Sequence, residues 1–218
     1  MSHIPILFED GEALVINKPS GLPIERPRRG GASLEDHFEE LKLGFQRAPM
    51  PVHRIDTDTS GCLLLARNAK ALKRFAKAFE ERLVEKRYLG VLSGVPADSE
   101  GTIELSLSKI SSAEKGWRMI AAKKGKPSIT HWRVLAEHGG HTLVEFRPET
   151  GRTHQIRVHC QAGLTLPLLG DPVYGNGKGA PRTMLHAAAL TVPRTGKPPI
   201  DAAAPLPRDF AALGFADG

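Results

Sequence analysis

The alternation of apolar and polar residues along the chain predicts many short strands and few helices. Residues 6–18 contain two apolar runs around an Asp-Gly pair, which is typical of a β-hairpin. Residues 86–147 contain several more strand-like runs, and the last two flank a Gly-Gly pair that indicates another hairpin. A late strand is expected at 183–192. Because tight turns join several strands, we predict an α/β fold with a mixed, mostly antiparallel sheet in two lobes and flanking helices.

Helical periodicity is confined to a few segments. Ser33 is expected to begin a helix, with Asp36 completing an approximate capping box. The apolar residues of this helix fall on one face at Leu34, Phe38, Leu41 and Phe45. A second helix is expected at 69–84 after Asn68 as the N-cap. Its predicted buried stripe consists of Leu72, Phe75, Ala76, Phe79 and Leu83.

Two shorter helical segments are expected further along the chain. Residues 153–162 follow a Gly-Arg pair and stop at Gly163, which is typical of a short helix. The Gly-Arg-Thr-His run at 151–154 could bind an anion at the start of that helix. Residues 206–213 predict a final helical turn or two.

Composition and charge fit a soluble protein with a nucleic-acid partner. The 218 residues are 40% hydrophobic and 25% charged, which suits one domain over 1–218 with a sizeable core. The apolar runs are too short for a membrane span. The N-terminus has an acidic pair where a signal peptide needs an apolar core, so we expect a cytoplasmic protein, with a monomer as the default. Thirty Lys and Arg against 24 Asp and Glu give a net charge of +6, which is compatible with a nucleic-acid partner but is also common among cytoplasmic enzymes.

Cysteine and histidine spacing argues against a disulfide and against a metal. Cys62 and Cys160 have no CxxC spacing, so two buried thiols are expected. The histidines at 53, 131, 154 and 159 match no zinc pattern. The GxGxxG and P-loop patterns are missing as well. The sequence therefore favours scattered structural histidines over a metal site.

Residues 52–66, VHRIDTDTSGCLLLA, place two aspartates in a polar run before an apolar strand. Turn and cap formation is the simplest role for Asp56 and Asp58. The run also resembles the DxDx nucleophile loop of Mg²⁺-dependent phosphatases, but that loop must follow a buried strand and here two prolines precede it. Covalent chemistry by a carboxylate is the third interpretation.

The same run resembles the HRLDxxTSGxLLxA signature of the RluA-type pseudouridine synthases. Further segments match this family in order: INKPSGL at 16–22, KRYLGVLSG at 86–94, GRTHQIRVH at 151–159, LLGDPVYG at 168–175 and LHAAALTVP at 185–193. The resemblance covers nearly the whole chain. It implies an isomerase that converts uridine in RNA to pseudouridine without metal, nucleotide or redox cofactor. A non-catalytic RNA-binding protein on the same fold is the alternative.

The resemblance implies roles for particular residues. Asp56 corresponds to the catalytic aspartate, which acts as a nucleophile at C1′ or as a base towards the 2′ proton. Its carboxylate must stay charged in a pocket closed by RNA, where a nearby cation opposes the cost of desolvation. Arg157 corresponds to the family arginine that forms a salt bridge with this aspartate. An Asp56–Arg157 pair is therefore expected.

The remaining expected site residues contact the substrate. Tyr88 corresponds to the tyrosine that stacks on the target uracil and helps remove the C5 proton, and Leu185 packs against the same base. Arg54 corresponds to the arginine that fills the space left by the flipped uridine. His53 supports the loop. Arg152, His154 and Lys18 are further candidates for substrate contacts.

The chain departs from the family pattern in three ways. The catalytic pattern begins by residue 6, so no N-terminal S4 domain is expected, and RNA must be held by the catalytic domain itself. The arginine-rich loop at 25–32 and the lysine-rich loop at 108–126 are the candidates. Ile55 replaces the family leucine, and the segment before LLGD is one residue longer. The compact form resembles the branch that modifies stem-loops in tRNA and large-subunit rRNA.

Overall fold

The computed structural model describes residues 3–112 and 116–216. These residues form two compact units, 3–86 with 187–205 and 87–112 with 116–186 and 206–216. The strands within the described residues are β1 Ile6–Glu9, β2 Ala13–Lys18, β3 Met50–Pro51, β4 Ser60–Ala66, β5 Glu85–Leu92, β6 Glu100–Ser112, β7 Gly116–Ala121, β8 Lys126–His138, β9 His141–Pro148, β10 Leu185–Val192 and β11 Ile200–Ala203. The α-helices are α1 Ala69–Glu80, α2 Gln155–Gly163 and α3 Arg208–Ala211. The predicted α/β class, rich in strands, is confirmed.

The first unit is built on the pairing of β1, β2 and β4, with β3 beside β4 and β11 beside β10. All of these pairings are antiparallel. The hairpin predicted at 6–18 is confirmed, and its turn is closed by Asp10, whose carboxylate accepts hydrogen bonds from the amides of Glu12 and Ala13 at 2.8 Å. Every residue of β4 is buried, so this strand forms the centre of the unit.

The helix predicted from Ser33 is wrong in length and type. Two short 3-10 helices, Leu34–His37 and Glu40–Lys42, replace it. The expected start is present, because the backbone amide of Ser33 donates to the Asp36 carboxylate at 2.9 Å. Continuation fails at Leu43, whose φ of 49° is left-handed and breaks the helical path.

Helix α1 begins where predicted and ends earlier than predicted. The Asn68 side chain accepts a hydrogen bond from the Ala71 amide at 2.9 Å, which confirms the N-cap. The helix ends at Glu80, so Leu83 lies beyond it and is 54% exposed. The buried residues of the helix are Ala71, Phe75 and Ala78. Of the predicted stripe only Phe75 is among them, so the buried face is rotated around the helix axis from the predicted one.

The second unit is an antiparallel sheet in the order β5-β9-β8-β6-β7, with α2 packed against it. The hairpin predicted around the Gly-Gly pair is confirmed as β8–β9, and the short helix predicted at 153–162 is confirmed as α2. One of the strand-like runs predicted within 86–147, at 117–122, is confirmed as β7. The lysine-rich loop expected at 108–126 is wrong at its start, because β6 continues to Ser112 and pairs with β7, and residues 113–115 lie outside the described residues.

Both cysteines are buried and unbonded to each other, as expected. Burial raises the pKa of Cys62 to about 12, so its thiol stays protonated at neutral pH. Within the described parts of the chain, no helix has the length and apolar character needed to span a membrane.

Candidate active site

Asp56 lies in a tight turn that leads directly into β4. The carbonyl of Asp56 accepts a hydrogen bond from the Thr59 amide at 3.1 Å, which closes the turn. Asp56 is half-buried, whereas Thr59 and Ser60 are buried. The polar residues Asp, Thr and Ser favour such a turn, and the apolar run from Cys62 enters the core. The turn therefore presents Asp56 at the edge of a rigid strand.

The buried side chain of Lys18 ties this turn to the chain after β2. Lys18 has 0% exposure, and its ammonium donates to the carbonyls of Pro19 at 2.8 Å, Leu22 at 2.9 Å and Thr57 at 3.0 Å. The Thr57 carbonyl also accepts from the Gly21 amide at 2.9 Å. A buried ammonium is costly unless it is paired with acceptors, so these bonds fix Lys18 and the turn together. Its predicted contact with substrate stays a prediction.

Close packing of two backbones explains why the Thr-Ser-Gly run ends in a glycine, Gly61. Its φ is +105°, and a Cβ at this position would lie 2.2 Å from the carbonyl oxygen of Ala187 on β10. Only glycine allows the two backbones to approach this closely. The approach sets β10 directly beside the start of β4, within two residues of the end of the Asp56 turn.

His53 supports the turn as a neutral side chain. Its Nε2 accepts a hydrogen bond from the Leu64 amide at 3.1 Å, and its ring stacks on Phe79 at 4.6 Å. Burial and, to a smaller extent, the charge of Lys86 together lower the pKa of His53 to about 3. These contacts give His53 the supporting role expected of it, and contact with the substrate stays a prediction.

Arg54 and Lys86 are two cations of the first unit with different environments. The Arg54 side chain is 74% exposed, with the Glu25 carboxylate 3.8 Å away. Such an exposed pair is worth little, so Arg54 can leave it readily. Burial lowers the pKa of Lys86 to about 8, and the charge of Arg82 adds to this shift. No pattern in the sequence indicates this property of Lys86.

Arg157 is buried on α2 and forms a two-bond pair with Asp171. The distances are 2.7 Å from Nε to Oδ2 and 2.9 Å from Nη2 to Oδ1. Asp171 also accepts hydrogen bonds from the amides of Val173 and Tyr174. Burial alone would raise the pKa of Asp171, but Arg157 and these amides hold it below its ordinary value. Asp56 belongs to the first unit and Arg157 to the second, and their pairing stays a prediction.

Tyr88 and Leu185 meet at one apolar cluster of the second unit. Leu185 belongs to the cluster with Phe146 and Ile156, and Tyr88 packs against it from β5. Ile156 immediately precedes Arg157 on α2. The structure therefore brings together the two residues expected to contact the uracil, beside the helix that holds Arg157.

The residues before α2 are fixed by hydrogen bonds. The side-chain oxygen Oε1 of Gln155 accepts from the hydroxyl of Thr150 at 2.7 Å and from the backbone amide of Arg152 at 3.0 Å. Arg152 Nε donates to the carbonyl of Pro127 at 3.3 Å. His154 has a left-handed φ of 53°, and its Nδ1 lies 2.9 Å from the Tyr174 hydroxyl. Their predicted substrate contacts stay predictions.

Three residues with structural importance were not singled out from the sequence. Asp171 and Tyr174 lie in the LLGDPVYG segment, which the family resemblance included without a role for either residue. Gln155 lies between two expected site residues. The position of Asp171 and Tyr174 within a segment that matches the family pattern was the available signal.

The phosphatase interpretation is not supported by the local fold. The Asp56 turn follows β3, which has only two residues and pairs antiparallel with β4. A nucleophile loop of that class needs a buried parallel strand before it. Across residues 3–112 and 116–216, no three His, Cys, Asp or Glu side chains are grouped as metal ligands would be.

Comparisons with known proteins identify the family of the chain. Residues 12–162 match the family described as RNA pseudouridylate synthase. An uncharacterised RNA pseudouridine synthase of Zymomonas mobilis is 53% identical over 212 residues, covering 96% of this chain and 97% of the relative. Ribosomal large subunit pseudouridine synthase D of the same organism is 35% identical over 230 residues, covering 96% of this chain and 71% of the relative.

A solved structure is similar over the same extent. The human RNA Pseudouridylate Synthase Domain Containing 1 is 32% identical with a TM-score of 0.78, covering 94% of this chain and 84% of that chain. None of these comparisons supports the alternative of a non-catalytic RNA-binding protein. The chain therefore belongs to the RNA pseudouridylate synthase family, the isomerases that convert uridine in RNA to pseudouridine.

Proposed function

We propose that the chain isomerises specific uridines in structured RNA with Asp56, Tyr88 and Arg157 as its catalytic residues. The observation that supports this most strongly is the Asp56 turn, which Lys18 and Gly21 hold at the Thr57 carbonyl. A carboxylate on a braced turn keeps one position through the reaction. Such fixed placement is what a group attacking or deprotonating a flipped nucleotide needs.

In the proposed reaction the N1–C1′ bond breaks, the uracil turns and C5 bonds to C1′. Asp56 acts as the nucleophile at C1′ or as the base for the 2′ proton, and both routes need an ionised carboxylate. Arg157 supplies the cation that keeps it ionised, which a site closed by RNA would otherwise disfavour. Asp171 holds the Arg157 guanidinium through two hydrogen bonds and so limits its movement.

Tyr88 and Leu185 hold the uracil while it turns. Their shared apolar cluster provides a surface for the flipped base, and aromatic stacking tolerates rotation of the ring in its plane. When C5 has bonded to C1′, its proton leaves with help from the Tyr88 hydroxyl, and N1 takes up a proton. Atoms and charge therefore balance without any metal, redox partner or co-substrate.

Arg54 occupies the space that the flipped uridine leaves in the RNA. Its exposure and its weak pairing with Glu25 fit a side chain that moves on binding. Arg152, His154 and Lys18 complete the substrate-binding set, the last by positioning the Asp56 turn. His53 holds the chain just before this turn to β4 by accepting a hydrogen bond from the Leu64 amide.

The proposed substrates are stem-loops of ribosomal RNA or tRNA. The relative named ribosomal large subunit pseudouridine synthase D favours ribosomal RNA. We propose that both units act as one catalytic domain, in a cytoplasmic monomer that needs no metal. The 25–32 loop and the basic hairpin of β6 and β7 then hold the RNA.

Tritium release from RNA labelled at uracil C5 tests this function. Total cellular RNA and separate ribosomal and tRNA fractions serve as substrates, with and without EDTA. Release that persists in EDTA supports the proposal, and mapping pseudouridines in cells lacking the protein identifies the site. Absence of release from every fraction would leave only an RNA-binding protein, and release abolished by EDTA would contradict a metal-free mechanism.

A further inference from the structure

Trp117 on β7 is a large aromatic side chain at the protein surface. It is 49% exposed, whereas Trp132, the other tryptophan of the chain, is 7% exposed. Trp132 belongs to the apolar cluster of the second unit. Packing in the core accounts for a tryptophan at position 132. It does not account for a tryptophan at position 117, where half of the side chain is exposed.

The indole of Trp117 contacts a histidine and a lysine. The His154 ring stacks on it with centroids 5.1 Å apart and an angle of 30° between the rings. The Lys109 ammonium lies 5.2 Å from the centre of the indole. In the β6–β7 register, Trp117 is directly opposite Ser111. Lys109 is two residues before Ser111 on β6, so the side chains of Lys109 and Trp117 project from the same face of the hairpin. The cationic Lys109 beside the ring favours an anionic partner such as an RNA phosphate.

A series of contacts through Tyr174 holds the His154 ring in place against Trp117. His154 Nδ1 lies 2.9 Å from the Tyr174 hydroxyl, which also accepts a hydrogen bond from the Met119 amide at 3.0 Å. The Arg157 guanidinium lies 5.1 Å from the centre of the Tyr174 ring. Trp117 is therefore connected, contact by contact, to the arginine proposed to act in catalysis.

The surrounding segment is strongly basic. Residues 105–126 contain a single acidic residue, Glu114, and the basic residues Lys109, Lys115, Arg118, Lys123, Lys124 and Lys126. Basic side chains around an exposed aromatic ring are the features by which proteins hold single-stranded nucleic acid. The cations attract the phosphates and the ring stacks on a base.

We propose that Trp117, supported by His154 and flanked by Lys109, is a stacking platform for an unpaired base of the RNA substrate. This site is distinct from the uracil-binding surface of Tyr88 and Leu185. The inference rests on RNA being the substrate, as the proposed function states. It adds a second contact to the loop of the RNA, outside the nucleotide that reacts.

Fluorescence titration of the Asp56→Asn protein tests the platform without turnover. A stem-loop RNA should quench the tryptophan emission, and a fully paired duplex of equal length should bind without comparable quenching. Trp117→Leu should remove the quenching and weaken stem-loop binding about 10-fold, with duplex binding unchanged. Trp117→Phe keeps an aromatic ring and should bind within about threefold of the parent. Thermal unfolding checks that each variant is folded.

Abasic substitution along the RNA loop gives a second measurement that needs no variant. One position outside the target uridine should lose both quenching and affinity with Trp117 present, and that penalty should vanish in Trp117→Leu. Unchanged stem-loop affinity in Trp117→Leu, an equal loss on duplex, or quenching insensitive to every abasic position would overturn the platform. Since binding is measured here and tritium release tests catalysis, failure of one is distinguishable from failure of the other.

Discussion

The Arg157 guanidinium and the Asp171 carboxylate form a two-bond pair inside the second unit. The two distances are 2.7 and 2.9 Å, and the side chains are 7% and 0% exposed. Two parallel bonds fix the plane of the guanidinium as well as its position. Asp171 thereby determines where the cation proposed to serve Asp56 is located.

Asp171→Asn should destabilise the protein and slow the reaction. The variant removes the charge partner of a buried arginine, which costs roughly 3 kcal/mol in comparable cases. Urea unfolding measures the stability, and single-turnover rates measure the effect on catalysis. Asp98→Asn is the control, because Asp98 is exposed and its change should alter stability by less than about 0.5 kcal/mol. Equal stability of the Asp171 and Asp98 variants would show that the pair contributes nothing.

Lys18→Met should act through the Asp56 turn. The change removes the ammonium from three backbone carbonyls and should lower the free energy of unfolding by about 2 kcal/mol. Because Lys18 positions the turn, kcat should fall about 10-fold with little change in KM. Lys70→Met, at an exposed position of α1, is the matched control. A variant with reduced stability and normal kcat would limit Lys18 to a structural role.

Arg54→Ala should slow turnover at saturating RNA more than it weakens binding. Its exposed guanidinium is proposed to replace the flipped uridine, so its loss raises the cost of flipping, which is a few kcal/mol. Arg29→Ala, in the exposed 25–32 loop, should weaken binding and its salt dependence with kcat unchanged. If both variants lose binding and turnover equally, Arg54 is a phosphate contact.

His159 should make stability depend on pH. It is fully buried, Ser128 lies 2.8 Å from its Nε2, and burial lowers its pKa from 6.5 to about 4. Below about pH 6.5 the unfolded chain takes up a proton here that the folded chain does not, so stability falls as pH falls. Between pH 7 and pH 5 this histidine should account for a loss of about 2 kcal/mol.

His159→Gln isolates this effect from the other histidines. Glutamine can still reach Ser128 but does not titrate, so the variant should lose about 2 kcal/mol less than the wild type over the same pH interval. Urea unfolding at each pH gives both values. Parallel stability curves for the two proteins would mean that His159 is not the titrating group.

Local signals in the sequence predicted much of the fold. The Asp-Gly hairpin and the Asn68 cap each depend on residues within a few positions, and both are confirmed. The helix expected after Ser33 failed because Leu43 adopts a left-handed conformation that apolar spacing does not reveal. Leu83 fits the helical stripe by spacing, but α1 ends before it.

Tertiary contacts account for the part of the site that was not predicted. The family resemblance selected Arg157, but its pair with Asp171 depends on how α2 packs beside a later turn. Lys18 was selected only as a candidate for substrate contact, and its hydrogen bonds to three backbone carbonyls depend on how distant segments pack. The resemblance identified which residues to examine, and the packing gave several of them a positioning role.

The central claim is that the Asp56 carboxylate performs the chemistry. The most direct measurement compares the rate of pseudouridine formation by two single variants, Asp56→Asn and Asp58→Asn. The second is the control, because it makes the same change two residues away in the same turn. Asp56→Asn should lose at least about 10³-fold in rate, with RNA affinity and thermal stability close to the wild type, and Asp58→Asn should stay within a few-fold. Comparable turnover by the two variants would contradict the claim.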